Sequence, residues 1–216
     1  FVRRMVAYKC PDLEVDILYD PDFRERIIRA GAVIFIGGRE FDLGGGYLFA
    51  DAQKKRIREL IQQDPRMKYH IIYISNHNVF TSWLIQQGTD FGGMLSWEDN
   101  EAGPTSITNA QQNGAPTFAS PDGVIPERVR RIIRDREGKI ISGNGYIVEY
   151  KKEPTNGDRR PSKESFVQEL EEACADYFDT VHGNYGIAAF NSLKMGLTLG
   201  DIRNQAKGLI MIWADT

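Results

Sequence analysis

Cysteine is scarce in this chain, and so are several other features that would narrow its function at once. Among 216 residues there are two cysteines, Cys10 and Cys174. They offer neither a disulfide framework nor a closely spaced metal-ligand pair, which points to a reducing, cytoplasmic compartment. No apolar run approaches the length of a membrane span, and no signal peptide is expected. The formal net charge of -3 argues against nucleic acid or an acidic membrane surface as the main partner. No internal repeat and no linker is visible, so residues 1–216 are expected to form a single unit. The first residue is Phe1, inside what reads as a strand, so the chain is expected to be a fragment of a longer protein.

What is present is an alternation of apolar strands and amphipathic helices. Hydrophobic residues make up 41% and charged residues 26% of the chain, enough for a sizeable core. Phe1-Val2 reads as the end of a buried strand, followed by a basic turn with Arg3, Arg4, Tyr8 and Lys9. Pro21-Asp22 opens a helix through Arg29, and Ala32 to Ile36 is an uninterrupted apolar run of the kind that fills the centre of a parallel sheet. Gly37-Gly38 is expected to end that strand. A glycine-rich loop, Asp42 to Gly46, leads to a helix ending near Gln63 with Ile57, Leu60 and Ile61 inward. His70 to Ile74 is the next strand. Ser75 or Asn76 is expected to cap a helix that buries Val79, Phe80, Trp83 and Leu84. Phe91 to Leu95, Thr117 to Ala119 and Tyr146 to Val148 read as further strands. A helix opened by Pro126 is expected to turn Val129, Ile132 and Ile133 inward. A polar loop at about 151–163 precedes helices over 165–213, the first with Phe166, Val167, Leu170, Ala173, Cys174 and Tyr177 in helical spacing and the last over Leu199 to Trp213. Trp83 and Trp213 are expected in the core. The fold class is therefore α/β, a doubly wound, Rossmann-like parallel sheet, whose ligands bind beyond the carboxyl ends of the strands.

The most informative stretch is Trp97 to Gly123, WEDNEAGPTSITNAQQNGAPTFASPDG. Gly103-Pro104 can open a helix whose free N–H groups near Thr105 and Ser106 form an anion site. Glu101 sits just before that positive end. A simple charge–dipole cap would account for it at about 0.3 to 1 kcal/mol, and that role is compatible with accepting hydrogen bonds from sugar hydroxyls. The glycines at 44–46 lack the spacing of a dinucleotide loop. His77 reads as a helix-start or packing residue, since no partner for a catalytic base lies near it. The trio Asp99-Asn100-Glu101 belongs to no metal-loop pattern.

Several segments together carry a family resemblance. RRMVAYK at Arg3 to Lys9, VIFIGGRE at Val33 to Glu40, and EAGPTSITNAQQNGAPT from Glu101 resemble, in order, three segments of the C-terminal domain of the glycogen and α-glucan phosphorylases. A weaker version is similar to bacterial glycogen and starch synthases, with which Arg4 and Lys9 five apart and Gly114-Ala115-Pro116 agree. NGYIV at Asn144 to Val148 extends the likeness toward the C-terminus. The resemblance implies one half of a GT-B retaining glycosyltransferase, a two-domain enzyme with donor and acceptor in the cleft between its halves. It also implies a missing N-terminal domain.

On this resemblance Arg4 and Lys9 hold the donor phosphate and Glu101 accepts from the transferred sugar; these three are the catalytic candidates. Gly103, Pro104, Thr105, Ser106, Asn109, Gly37 and Gly38 are the donor-binding candidates, and no metal is implied. One departure changes the chemistry. Asn109 stands where phosphorylases carry the lysine that forms a Schiff base with pyridoxal phosphate, and an amide cannot form that bond. Pyridoxal phosphate is therefore not expected, and no other cofactor is. The expected donor is a nucleotide sugar or sugar phosphate, with a glucan or oligosaccharide as acceptor. Phosphorylase-like transfer involving glucose 1-phosphate and a non-catalytic sugar-binding or assembly domain are the alternatives. The 216-residue chain alone is expected to be inactive.

Overall fold

A computed structural model describes residues 1–40, 46–75, 77–101, 103, 105–153 and 159–200, the side chains of residues 46, 47 and 198–200 excepted. The glycines at 44 and 45, Asn76, Pro104, part of the polar loop and the expected final helix to Trp213 thus lie outside the described residues. Strand β1 (Val2–Arg4) leads through a short turn at Ala7–Lys9 to helix α1 (Leu13–Asp16) and helix α2 (Pro21–Ala30). Asp20 caps α2, accepting from the N–H groups of Asp22 at 3.0 Å and Phe23 at 3.2 Å, with Pro21 at the first helical position. Gly31 ends α2 at φ 62°, a left-handed stop that glycine adopts without cost. Strand β2 (Ile34–Arg39), helix α3 (Gly46–Gln63), strand β3 (Ile71–Ser75) and helix α4 (Val79–Gln87) follow. Then come β4 (Gly92–Met94), α5 (Thr105–Gln112), β5 (Thr117–Ala119), α6 (Ile125–Arg128), β6 (Ile133–Arg134), β7 (Ile140–Ser142), β8 (Gly145–Ile147), α7 (Lys163–Phe178) and α8 (Asn184–Gly200).

Two parallel ladders form, β1-β2-β3 and β4-β5-β8, and the ring of Phe1 lies against Gly93 where their inner edges approach. Successive strand residues point to opposite faces, and the packing follows that rule. Leu95, Phe118 and Tyr146 join one core with residues of α2, α3 and α7, among them Ile27, Leu60 and Phe166. Met94, Ala119 and Ile147 face the other way, toward Ile107 of α5 and Ile125 of α6. Helices on both faces of parallel strands make this the doubly wound α/β arrangement expected.

Four expectations need correction. Gly37 and Gly38 do not end β2 and do not form a loop; they pair inside it, with Val2 and Arg3 on one side and Ile74 and Ser75 on the other. Helix α4 is capped by Asn78, whose side chain accepts from Phe80 and Thr81, rather than by Ser75. Its apolar stripe faces outward: Val79, Phe80, Trp83 and Leu84 are exposed, so Trp83 is not a core residue. The helix opened by Pro126 stops at Arg128, because the chain turns to pair with β8: the Arg130 N–H donates to Asn144 Oδ1, and the Arg130 carbonyl accepts from the N–H groups of Asn144 and Gly145. Val129 is buried as expected, but Ile133 lies exposed in an antiparallel hairpin of β6 with β7.

The glycine pair is required by the spacing of the backbones. A Cβ on Gly38 would lie 1.5 Å from the Arg3 carbonyl oxygen, and one on Gly37 would lie 2.3 Å from that of Ile74. Both residues also sit at positive φ, 151° and 122°, where other residues are strained. Gly38→Ala is expected to destabilise the chain by about 2 kcal/mol or more, read as a lower urea midpoint; an unchanged midpoint would show that the ladder tolerates the side chain.

Candidate functional site

The carboxyl ends of β1 and β4 deliver their loops to one place. Arg4, the last residue of β1, extends its guanidinium to the Tyr8 hydroxyl at 3.0 Å. The tight turn at Ala7–Lys9, stopped by Cys10 at φ 50°, then directs Lys9 inward. Lys9 is only 5% exposed. Its ammonium pairs with the Glu101 carboxylate and lies 5.3 Å from the centre of the Tyr8 ring. Two catalytic candidates separated by 92 positions therefore touch, and the third joins them through Tyr8.

The loops are tied by backbone as well. The Trp97 N–H donates to the Tyr8 carbonyl at 2.8 Å. Beneath Lys9, the buried Arg3 guanidinium donates to the Lys9 carbonyl and to Glu14. Four residues beyond Glu101, α5 begins at Thr105. Thr105 and Gly103 are exposed, Ser106 is half-buried with its hydroxyl 3.9 Å from Met94 Sδ, and Asn109 is exposed one turn later. Pro104 lies outside the described residues. Gly37 and Gly38 stand inside β2, paired with β1 and β3.

The corner thus offers an ion pair, a second cation and the first-turn N–H groups of a helix, a combination suited to an anion joined to a hydroxyl-rich group. Burial pushes the Lys9 pKa below its ordinary value, and the hydrogen bond and charge of Glu101 oppose that fall. Among the described residues, no group of three or more His, Cys, Asp or Glu is placed to hold a metal. A crevice of about 60 Å³ between α4, β4 and α5, lined by His77, Gln86, Ser106 and Thr117, has room for water but not for a sugar. A wider, largely apolar groove lies between α2 and α7, at Ile27, Arg29, Leu170 and Phe178.

Compared by sequence, the chain matches no protein-family model and no curated protein. Compared by structure, it superposes on HepE of Anabaena, solved with UDP and glucose, at a TM-score of 0.62 and 14% identity, covering 100% of this chain and 48% of that one. A glycosyltransferase of Rickettsia africae gives 0.65 at 14% identity, with 99% and 46% covered. The catalytic domain of starch synthase IV from Arabidopsis thaliana, bound to ADP and acarbose, gives 0.56 at 16%, with 91% and 37% covered. The fold is that of a GT-B glycosyltransferase half. The chain spans about half the length of the first two of these structures. No helix among the described residues is long and apolar enough to cross a membrane.

Arg3, Glu14 and Asp122 belong to the same corner but do not stand out in the sequence. Arg3 is expected in a basic turn, yet its side chain is buried against Glu14. Asp122 stands in a Pro-Asp-Gly sequence that suggests only a turn, yet its carboxylate accepts from the N–H groups of Asp99 at 3.0 Å, Asn100 at 3.1 Å and Glu101 at 2.7 Å, and from the Ser96 hydroxyl at 3.0 Å. Only the Pro-Asp-Gly turn hinted at it, and that hint is local.

Glu14 supplies a pH-dependent test of the layer under Lys9. Burial pushes its carboxyl from 4.5 up to about 7, against the opposing charge of Arg3. Between those values the native chain holds a proton that the unfolded chain has released, so the Glu14 contribution to stability falls as pH rises from about 4.5 to about 7 and is constant above. Glu14→Gln cannot titrate. It is expected to remove this slope, measured as urea midpoints across that range; a slope unchanged in the variant would assign it to other groups.

Proposed function

We propose that this chain is the donor-binding half of a retaining glycosyltransferase that moves glucose from a nucleotide sugar to an α-glucan or oligosaccharide. The observation that carries the reading is the buried Lys9–Glu101 pair, set beside Arg4 and just ahead of α5. Transfer breaks the bond from the sugar's anomeric carbon to the diphosphate oxygen, and negative charge grows on that oxygen. Arg4, Lys9 and the N–H groups at the start of α5 stabilise that charge, an interaction strongest when the charge is greatest. Glu101 accepts from hydroxyls of the transferred sugar, which orients the anomeric carbon toward an acceptor hydroxyl. The acceptor side of the cleft belongs to a second domain outside these residues.

A nucleotide-sugar donor is favoured over phosphorolysis on chemical grounds. Asn109 provides an amide where Schiff-base chemistry requires an amine, and from the second turn of α5 it offers hydrogen bonds to a ribose instead. HepE of Anabaena was solved with UDP-glucose as well as with UDP and glucose, which supports the same class of donor. Asn109 also motivates a second reading, a domain that binds the sugar nucleotide without transferring it.

Titration calorimetry of the chain with UDP-glucose, ADP-glucose and glucose 1-phosphate is the direct test. One nucleotide sugar is expected to bind more tightly than glucose 1-phosphate, and Arg4→Ala or Lys9→Ala is expected to weaken it about tenfold or more, the scale of one charged hydrogen bond. Failure of all three ligands to bind would overturn the reading. The isolated chain is expected to show no transfer; measurable turnover would refute the need for a second domain.

A further inference from the structure

The geometry points to Asp122 as a positioning residue for the donor sugar, acting through Glu101 and resting on the donor-binding reading above. A loop that ends on a functional carboxylate needs a reason to hold one shape, and here the reason is another carboxylate. The three consecutive N–H groups of Asp99, Asn100 and Glu101 converge on Asp122, which is 4% exposed and also takes the Ser96 hydroxyl. Such a concavity of successive N–H groups is an anion-binding nest, occupied here by the chain's own side chain. Asp99 adopts φ 62°, a left-handed conformation that turns these N–H groups inward and that the bonds to Asp122 hold in place.

The remaining anchors agree with this role. Ser120, two residues before Asp122, accepts from the Ser96 N–H at 2.9 Å through its hydroxyl, so the ends of β4 and β5 are bonded where the loop departs. Trp97 is bonded to Tyr8, one residue from Lys9. The loop is therefore fixed to the Lys9 side at its start and to Asp122 at its end, and Glu101 comes next to the second anchor. Loss of the nest would let Glu101 drift from the sugar, while the β1 loop that carries Arg4 and Lys9 stays anchored where Arg3 bonds to the Lys9 carbonyl. The effect should appear in recognition of the sugar and not of the nucleotide.

That separation supplies the experiment. Wild-type chain, Glu101→Gln and Asp122→Asn are titrated with UDP, UDP-glucose, ADP and ADP-glucose. Asp122→Asn keeps the size of the side chain but turns one acceptor oxygen into an NH₂ donor facing N–H donors. It is expected to bind the nucleoside diphosphate within about twofold of wild type and the nucleotide sugar roughly fivefold to tenfold more weakly, approaching Glu101→Gln. If Glu101→Gln weakens the sugar nucleotide and Asp122→Asn does not, or Asp122→Asn weakens both ligand types alike, the positioning role is overturned while the donor reading stands. If the wild-type chain binds neither ligand type, or Glu101→Gln changes nothing, both are overturned. Hydrogen exchange of the unaltered chain gives a second measure that needs no variant to fold. The Asp99, Asn100 and Glu101 amides are expected to exchange slowly for a surface loop, and free exchange there would also overturn the role.

Discussion

A lysine taken almost wholly out of water must find a counter-charge, and in this chain that requirement joins two loops from opposite ladders of a parallel arrangement. Lys9 follows β1 and Glu101 follows β4, so their ion pair forms only if both strands end at the same level. A buried pair of this kind is a poor source of stability, because desolvation of both ions offsets much of their attraction. Its better use is to fix a register. The pair holds a cation and an acceptor in contact at the one edge where a doubly wound fold exposes a crevice.

Beneath that pair the structure repeats the same solution. Arg3 and Glu14 are both buried, and Arg3 bonds to the carbonyl of Lys9 itself. Alternation along β1 explains why neighbouring arginines serve so differently: Arg3 projects into the protein and Arg4 toward Tyr8 and solvent. A pair of adjacent basic residues in a sequence thus resolves into one structural and one surface member once the strand is known.

Legibility in the sequence followed the range of the forces involved. Strand β2 could be read because the centre of a parallel sheet writes an uninterrupted apolar run, here Ala32 to Ile36. The starts of α2 and α5 could be read because proline favours the first helical turn, whereas Asp20 as the cap of α2 could not. The hairpin of β6 and β7 could not, since Val129, Ile132 and Ile133 have helical spacing and the competing bonds come from Asn144, a loop residue well downstream. The direction of α4 could not either, because periodicity identifies an apolar face without saying whether water or protein meets it. Asp122 remained hidden for a related reason: its partners lie 21 to 26 positions earlier, and nothing around it in sequence marks a carboxylate destined for burial. Arg4 and Lys9 are legible through the resemblance and Glu101 also through its place before a helix start, while their proximity is visible only in three dimensions.

The outward apolar stripe of α4 has a consequence for how the chain behaves in a crowded solution. The helix VFTSWLIQQ carries no charged residue, so electrostatic repulsion does little to keep other surfaces away from Val79, Phe80, Trp83 and Leu84. Covering such a surface is favourable by about 25 cal/mol for each Å² removed from water. Adhesion there is driven by water and not by charge, so added salt of the sulfate or phosphate type strengthens it. In colloidal terms α4 is an adhesive strip on the particle, one of several places where apolar side chains meet water among the described residues.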